Sequence, residues 1–239
     1  SHGDTKHVLV FPSTPKECFE MTAQAFDLAE QLQTPVIMLT DLDLGMNDTM
    51  SDPFQWDDDR EYKRGKVLSS DDLENMSERF GRYLDVDDDG ITYRTYPGTH
   101  PTKGSFFTRG TSRDEYAVYT EDGSKYAENM DRLLKKWETG KHYVPAPEII
   151  IAGDGSKIGI IHFGTSMDPT LEAIDYLADE GTVVDSCRIK AFPFNQEVED
   201  FVAQHDTVFV IEQNRDAQMR ALLVNECDID PKHLKKILN

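Results

Sequence analysis

Short apolar runs alternating with amphipathic stretches set the pattern of this chain. Val8-Leu9-Val10-Phe11 predicts a strand buried on both faces. Pro12-Ser13-Thr14-Pro15 breaks it. Thr14 suits an N-cap and Pro15 the first helical position, and Glu17 falls where a capping box needs it. Phe19, Thr22, Ala23, Phe26, Leu28, Ala29 and Leu32 then recur at helical spacing. Glu20, Gln24, Asp27 and Gln31 lie between them, which predicts one apolar and one wet face. Val36 to Thr40 predicts a second buried strand with Asp41 at its carboxyl end. A crossover of this length implies parallel strands joined right-handedly. Ligands of such sheets gather outside the carboxyl ends of the strands, where Thr40, Asp41 and Asp43 would stand. The bland alternative is that Asp41 only caps the following turn.

The pattern loosens after Gly45. Asn47 to Arg60 is rich in Asp, with Phe54 and Trp56 as its large apolar anchors, and reads as an exposed loop. Ser69 to Glu74 reads as a helix start, in a short helix ending near Gly81. Asp85-Val86-Asp87-Asp88-Asp89-Gly90 has the opening of a calcium loop, but Tyr96 stands where the twelfth-position Glu belongs. It reads instead as an acidic hairpin tip before a strand Ile91 to Thr95, and no metal site is assigned. Ser124 to Gly140 predicts a helix with Tyr126, Met130, Leu133, Leu134 and Trp137 as its apolar stripe. Tyr143-Val144-Pro145-Ala146-Pro147 is a stiff linker, dividing the chain into domains 4–145 and 146–239.

The second domain repeats the strand–helix alternation. Strands are expected at Ile158 to Phe163, Val183 to Ile189 and Thr207 to Glu212. Helices are expected at Asp168 to Gly181, with Leu171, Ile174, Leu177 and Ala178 buried, at Asn195 to Gln204, with Val198, Phe201 and Val202 inward, and at Asp216 to Val224. The chain is expected to end in a helical pattern. This order predicts an α/β fold with a doubly wound parallel sheet. Gly153 and Gly155 precede a strand rather than joining strand to helix, so they fail as a dinucleotide loop. The Gly164-Thr165-Ser166 turn could hold an anion at a helix N-terminus.

Composition narrows the function classes. The chain has 239 residues and a net charge of -20, which argues against nucleic acid or an anionic membrane as partner. Cys18, Cys187 and Cys227 form neither a disulfide framework nor a C-x-x-C pair, and three thiols cannot hold an ordinary iron–sulfur cluster. A cytoplasmic location is expected.

Three stretches carry a resemblance. FPSTPKECFEMTAQAFDLAEQLQTPVIMLTDLDLG resembles the second half of the pyrimidine-binding domain in α subunits of 2-oxoacid:ferredoxin oxidoreductases, most of all the 2-oxoglutarate branch. YRTYPGTHPTKGSFFTRGTSRDEY is similar to the family's run ending in T-R-G-T-x-H-D-E-Y, with one departure: Arg113 replaces the family His. Ile211 to Met219, IEQNRDAQM, resembles the transketolase C-terminal-like domain of the same subunit.

The resemblance implies a partial thiamine-diphosphate-binding (pyrimidine) domain followed by a transketolase C-terminal-like domain. It implies oxidative decarboxylation of a 2-oxoacid to acyl-CoA, with electrons passing to ferredoxin. Thiamine diphosphate and magnesium would lie between this subunit and a β subunit that carries an iron–sulfur cluster. Arg109 could clamp a carboxylate or phosphate; Thr111, Asp114, Glu115 and His100 are the accompanying substrate or interface candidates. Glu212, Gln213 and Asn214 are interface candidates. The family's activating Glu, its Y-P-I-T-P-like substrate motif and its G-P-S-T-G-x-P-T run are not in this sequence. The chain therefore reads as a subunit fragment with no catalytic residue, no cofactor bound to it alone, and sheet edges open to self-association. Two alternatives stand: a non-catalytic docking scaffold, or a subunit of another thiamine enzyme of transketolase or dehydrogenase type.

Overall fold

A computed structural model describes residues 6–108 and 110–238. In chain order the elements of the first half are β1 (Val8–Val10), α1 (Pro15–Leu32), β2 (Val36–Met38), α2 (Leu42–Met46), α3 (Ser70–Asn75) and α4 (Gly123–Gly140). Those of the second half are β3 (Glu148–Ile150), β4 (Ile158–His162), α5 (Met167–Asp179), β5 (Asp185–Arg188), β6 (Ala191–Phe192), α6 (Gln196–Gln204), β7 (Thr207–Glu212), α7 (Gln218–Cys227) and β8 (Leu234–Leu238). They form two compact units that interleave in sequence. One holds Lys6, His7, Phe26–Pro35 and the described residues of Asp59–Tyr143; the other holds Val8–Ala25, Val36–Asp58 and Val144–Leu238. Strand pairing is the reason for the interleaving: β1 lies between β2, parallel with Val8 opposite Val36, and β6, antiparallel with Leu9 opposite Phe192.

The unit containing the C-terminus carries a second sheet, ordered β3-β5-β4-β7-β8. Four of its strands are parallel and β3 is an antiparallel edge. Ile161, Cys187, Val208 and Val210 are fully buried in its centre, and Val198, Phe201 and Val202 of α6 cover it as expected. Gly159 makes that packing possible, because a Cβ there would lie 2.8 Å from the Phe201 ring. The α/β class with a largely parallel sheet is as the sequence predicts. Several local expectations are not. β2 is an edge strand rather than a buried one, with Ile37 44% and Leu39 42% exposed. The chain ends in β8, not a helix, because Leu234 to Leu238 pairs with Val208 to Glu212. α5 covers the sheet only partly: Ala178 is exposed and Leu171, Ile174 and Leu177 are half-buried.

The other unit is held more by polar ties than by regular structure. Asp27, expected on the wet face of α1, is buried and accepts from Arg60 Nη2 at 2.7 Å and Lys63 N at 2.8 Å, whereas Phe26 is 63% exposed. Amphipathic spacing cannot foresee a loop that brings a cation to the polar face. Ile91 to Thr95 is not a strand; Val67 and Arg94 form an isolated bridge there. In the acidic loop Asp85 accepts from the Asp89 and Gly90 amides, while Lys66 lies 2.7 Å from Asp87 and 2.8 Å from Asp89. Gly90, at φ +76°, sits against α4, where a Cβ would meet Lys136 N at 2.3 Å.

Candidate functional site

The carboxyl ends of β1, β2, β4 and β7 converge on a cavity of about 240 Å³. Phe11, Leu39, Phe163 and Ile211 form its apolar walls, and Phe11 and Phe163 meet edge to face at 5.4 Å between ring centres. Asp41, Ser166, Gln213 and Asn214 supply the polar part. Asp41 is the N-cap of α2, accepting from Leu44 N at 3.0 Å. It does more than cap. Its other oxygen accepts from the Thr165 hydroxyl at 2.6 Å and the Thr165 amide at 3.2 Å. Gln213 Nε2 donates in turn to Thr165 Oγ1 at 3.1 Å. Gly164, at φ +59°, allows this approach, since a Cβ would sit 3.2 Å from the Asp41 carboxylate. Burial alone would raise the Asp41 carboxyl; the Thr165 hydroxyl and the Leu44 and Thr165 amides outweigh it and hold it below its ordinary value. Asp41 thus favours its ionised form and joins the strand end to the Thr165 turn.

The same unit holds an ionic network around Arg188 that reading the sequence missed. Arg188 at the end of β5 is 3% exposed and donates to both oxygens of Glu17, at 2.8 and 2.7 Å, and to Glu148 at 2.8 Å. Glu17 was legible only as a capping residue. Its amide does bond Thr14 Oγ1 at 3.1 Å, but its carboxylate accepts from the Ser13 amide at 2.8 Å rather than from Thr14. Burial opposes the Glu17 charge; Arg188, the Ser13 amide and Lys190 prevail and hold its carboxyl at about 2. Burial, then Arg188, pushes neighbouring His162 down to about 4, so it is neutral near pH 7. Asp185 accepts from Ala152 N, Ser156 N and His205 Nε2, fixing the turn that precedes β4.

The sequence-predicted residues divide between the two units. Glu212 is 1% exposed and accepts from the Met219 and Arg220 amides, which anchors α7. Of its trio only Gln213 and Asn214 line the cavity. In the other unit His100 Nδ1 accepts from the Thr102 and Lys103 amides and Nε2 lies 3.0 Å from Glu74. Asp114 Oδ1 accepts from the Tyr116 and Val118 amides, so it shapes its own loop. Glu115 pairs with Lys125 at 3.1 Å. Thr111 borders a separate cavity with Arg113. Arg109 lies outside the described residues. Among the described residues no group of three His, Cys, Asp or Glu could hold a metal ion, and no helix is long and apolar enough to cross a membrane.

Comparison with known proteins agrees with the fold. The family described as pyruvate flavodoxin/ferredoxin oxidoreductase, thiamine-diphosphate-binding, matches residues 2–138. The 2-oxoacid:ferredoxin oxidoreductase 2 α subunit of Aeropyrum pernix is 28% identical over 235 residues, covering 96% of this chain and 35% of that subunit. A 2-oxoglutarate synthase subunit KorA of Methanothermobacter marburgensis is 46% identical over 41 residues, 17% of this chain and 11% of that protein. Among solved structures, a 2-oxoglutarate:ferredoxin oxidoreductase from Magnetococcus marinus, with 2-oxoglutarate, coenzyme A and succinyl-CoA bound, superposes with a TM-score of 0.82 at 22% identity. It covers all of this chain and 40% of that one. The chain spans about a third of the length of the first of these relatives.

Proposed function

Since the chain belongs to the pyruvate flavodoxin/ferredoxin oxidoreductase thiamine-diphosphate-binding family, we propose that it is part of the α subunit of a 2-oxoacid:ferredoxin oxidoreductase, an enzyme that oxidatively decarboxylates a 2-oxoacid to an acyl-CoA. The single observation that carries this reading is likeness along nearly the whole chain, 96% of it, to a subunit with that name. Preference for 2-oxoglutarate belongs to the proposal and is supported by the 41-residue stretch shared with KorA. So do a cytoplasmic location, a β subunit carrying an iron–sulfur cluster, electron delivery to ferredoxin, and the family division into domains 4–145 and 146–239.

Thiamine diphosphate and its magnesium would be held elsewhere in the complex. Asp41, the carboxylate of the 240 Å³ cavity, is already engaged by Leu44 and Thr165, which leaves no free acid there for an aminopyrimidine ring. Among the described residues no group of three His, Cys, Asp or Glu could hold a metal ion. These residues do not fit the cofactor's own contacts. The part assigned to this chain is to build the sheet edge and cavity that the remainder of the enzyme faces, and it is inactive alone. Arg109, Thr111, Asp114, Glu115 and His100 are proposed for the substrate or subunit face, and Gln213 and Asn214 for the subunit face.

The test co-expresses the α subunit, extended upstream by the segment with the family's activating Glu, with its β partner. Coenzyme A-dependent viologen reduction is then measured with a panel of 2-oxoacids. Reduction with 2-oxoglutarate fastest is the expected result. Reduction with another acid fastest would retain the enzyme and discard the substrate. No reduction from a complex loaded with thiamine diphosphate and intact clusters would leave a docking scaffold as the better reading.

A further inference from the structure

A second cavity, of about 260 Å³, lies in the unit that contains α4, between that helix and the loop at residues 111–113. Tyr83, Tyr126, Met130 and Leu133 give it apolar walls, and its charged side chains are Arg113 and Arg132. Arg113 is 8% exposed, and its guanidinium rests on Tyr119 with 5.6 Å to the ring centre. Arg132 reaches the same cavity from α4, donates from Nη1 to Gly90 O at 3.0 Å and lies over Tyr83. The Nε of each arginine is buried and has no hydrogen-bond partner. Among the described residues no carboxylate lies within 4.0 Å of either guanidinium, in a chain with 45 acidic residues against 25 basic ones. Asp85, the acid whose field reaches Arg132, is already engaged by Lys135 and by two backbone amides.

An unpaired cation in a low-dielectric site is costly, so such sites are met with a counter-charge. Arg82 and Lys136 add to the positive field around Arg132. The guanidinium fork is matched to oxygens arranged as in carboxylate or phosphate. Thr111 and Ser112 line the same cavity, as does Asn129, whose Nδ2 already donates to the Arg113 carbonyl. We propose that this cavity is an oxyanion site, in which Arg113 and Arg132 bind the carboxylate or phosphate oxygens of a small anion and the hydroxyls of Thr111 and Ser112 complete the donor set. The site is independent of the thiamine reading, because every residue in it comes from this chain.

The test titrates the full chain with inorganic phosphate and, separately, with 2-oxoglutarate, at constant ionic strength maintained by sodium chloride. Calorimetry gives affinity, and nitrogen-15 spectra of the arginine Nε–H groups give location. Saturable binding that moves the Arg113 and Arg132 Nε–H signals is expected. Saturation by phosphate alone would identify a phosphoryl group as the ligand, and saturation by 2-oxoglutarate alone a carboxylate; either supports the site. Arg113→Gln and Arg132→Gln should each weaken binding at least about tenfold. Arg113→Lys, which keeps the charge but not the fork, should weaken it by less than Arg113→Gln does. Absence of saturable binding of both anions to the unmodified chain would overturn the proposal without recourse to any variant. So would unchanged affinity in Arg113→Gln or, should that variant not fold, in Arg113→Lys.

Discussion

Replacing Glu17 by Gln tests whether the buried ionic network at the start of α1 stabilises its unit as the geometry requires. Gln keeps the shape and removes the charge that Arg188 grips through both Glu17 oxygens. The Glu17 carboxyl lies at about 2 in the folded chain against 4.5 without the fold. At about 1.4 kcal/mol per pH unit, that displacement corresponds to roughly 3 kcal/mol of stability at neutral pH. The direction with pH follows from the same displacement. A depressed carboxyl stabilises above its unfolded value, so the contribution is complete above about pH 5 and fades as pH falls from 4.5 towards 2. Arg188 keeps Glu148 after the substitution, which places the expected loss at roughly 2–3 kcal/mol rather than the higher cost of orphaning a buried charge. Urea unfolding reads this directly. The chain has two tryptophans, one in each unit, so a Trp137→Phe background leaves Trp56 as reporter of the unit that contains Glu17. The reasoning fails if Glu17→Gln shifts stability by less than about 0.5 kcal/mol at pH 7, or if the gap to the unmodified chain does not narrow at pH 3.

Other expectations are as direct. Burial, then Arg132 and Arg82, lowers Lys136 to about 8, so charging it opposes folding. Stability of its unit should therefore rise as pH climbs from about 8 towards 10.5, and Lys136→Met should raise stability at pH 7 and remove that dependence in a pH series of urea midpoints. Gly90→Ala should cost more than about 2 kcal/mol, since the new Cβ would meet the α4 backbone at a positive φ; thermal unfolding with Trp137 emission as the signal checks it. Thr165→Val removes the hydroxyl that Asp41 accepts from and should cost about 1–2 kcal/mol, measured as a lower unfolding midpoint, with amide exchange at Leu44 quickened. Asp185→Asn should loosen the Ala152–Ser156 turn, visible as faster amide exchange at both residues, and the unmodified chain should show the same loosening as acid protonates Asp185.

What the sequence determined by itself is what local spacing and residue chemistry carry. Thr14 and Pro15 start α1 where they stand, Ser69 caps α3, and β7 runs over Thr207–Glu212 through the continuous apolar run Val208-Phe209-Val210-Ile211. The three family-like stretches likewise named the family and the fold without coordinates. Tertiary structure decided the rest, because it depends on residues far apart in the chain. Asp27 is buried where Arg60 comes to meet it, and β1 gains a second partner in β6, far along the sequence, while no strand pairs with the outer side of Val36 to Met38. Leu234 to Leu238 looks helical in its own composition yet becomes a strand against β7. Asp41 and Thr165 are 124 positions apart, and Glu17 and Arg188 are 171. Spacing carries no information over such separations: a carboxylate advertises its charge in the sequence, but whether that charge is capped, paired or left waiting for a ligand is set by what the fold brings within 3 Å or so of it.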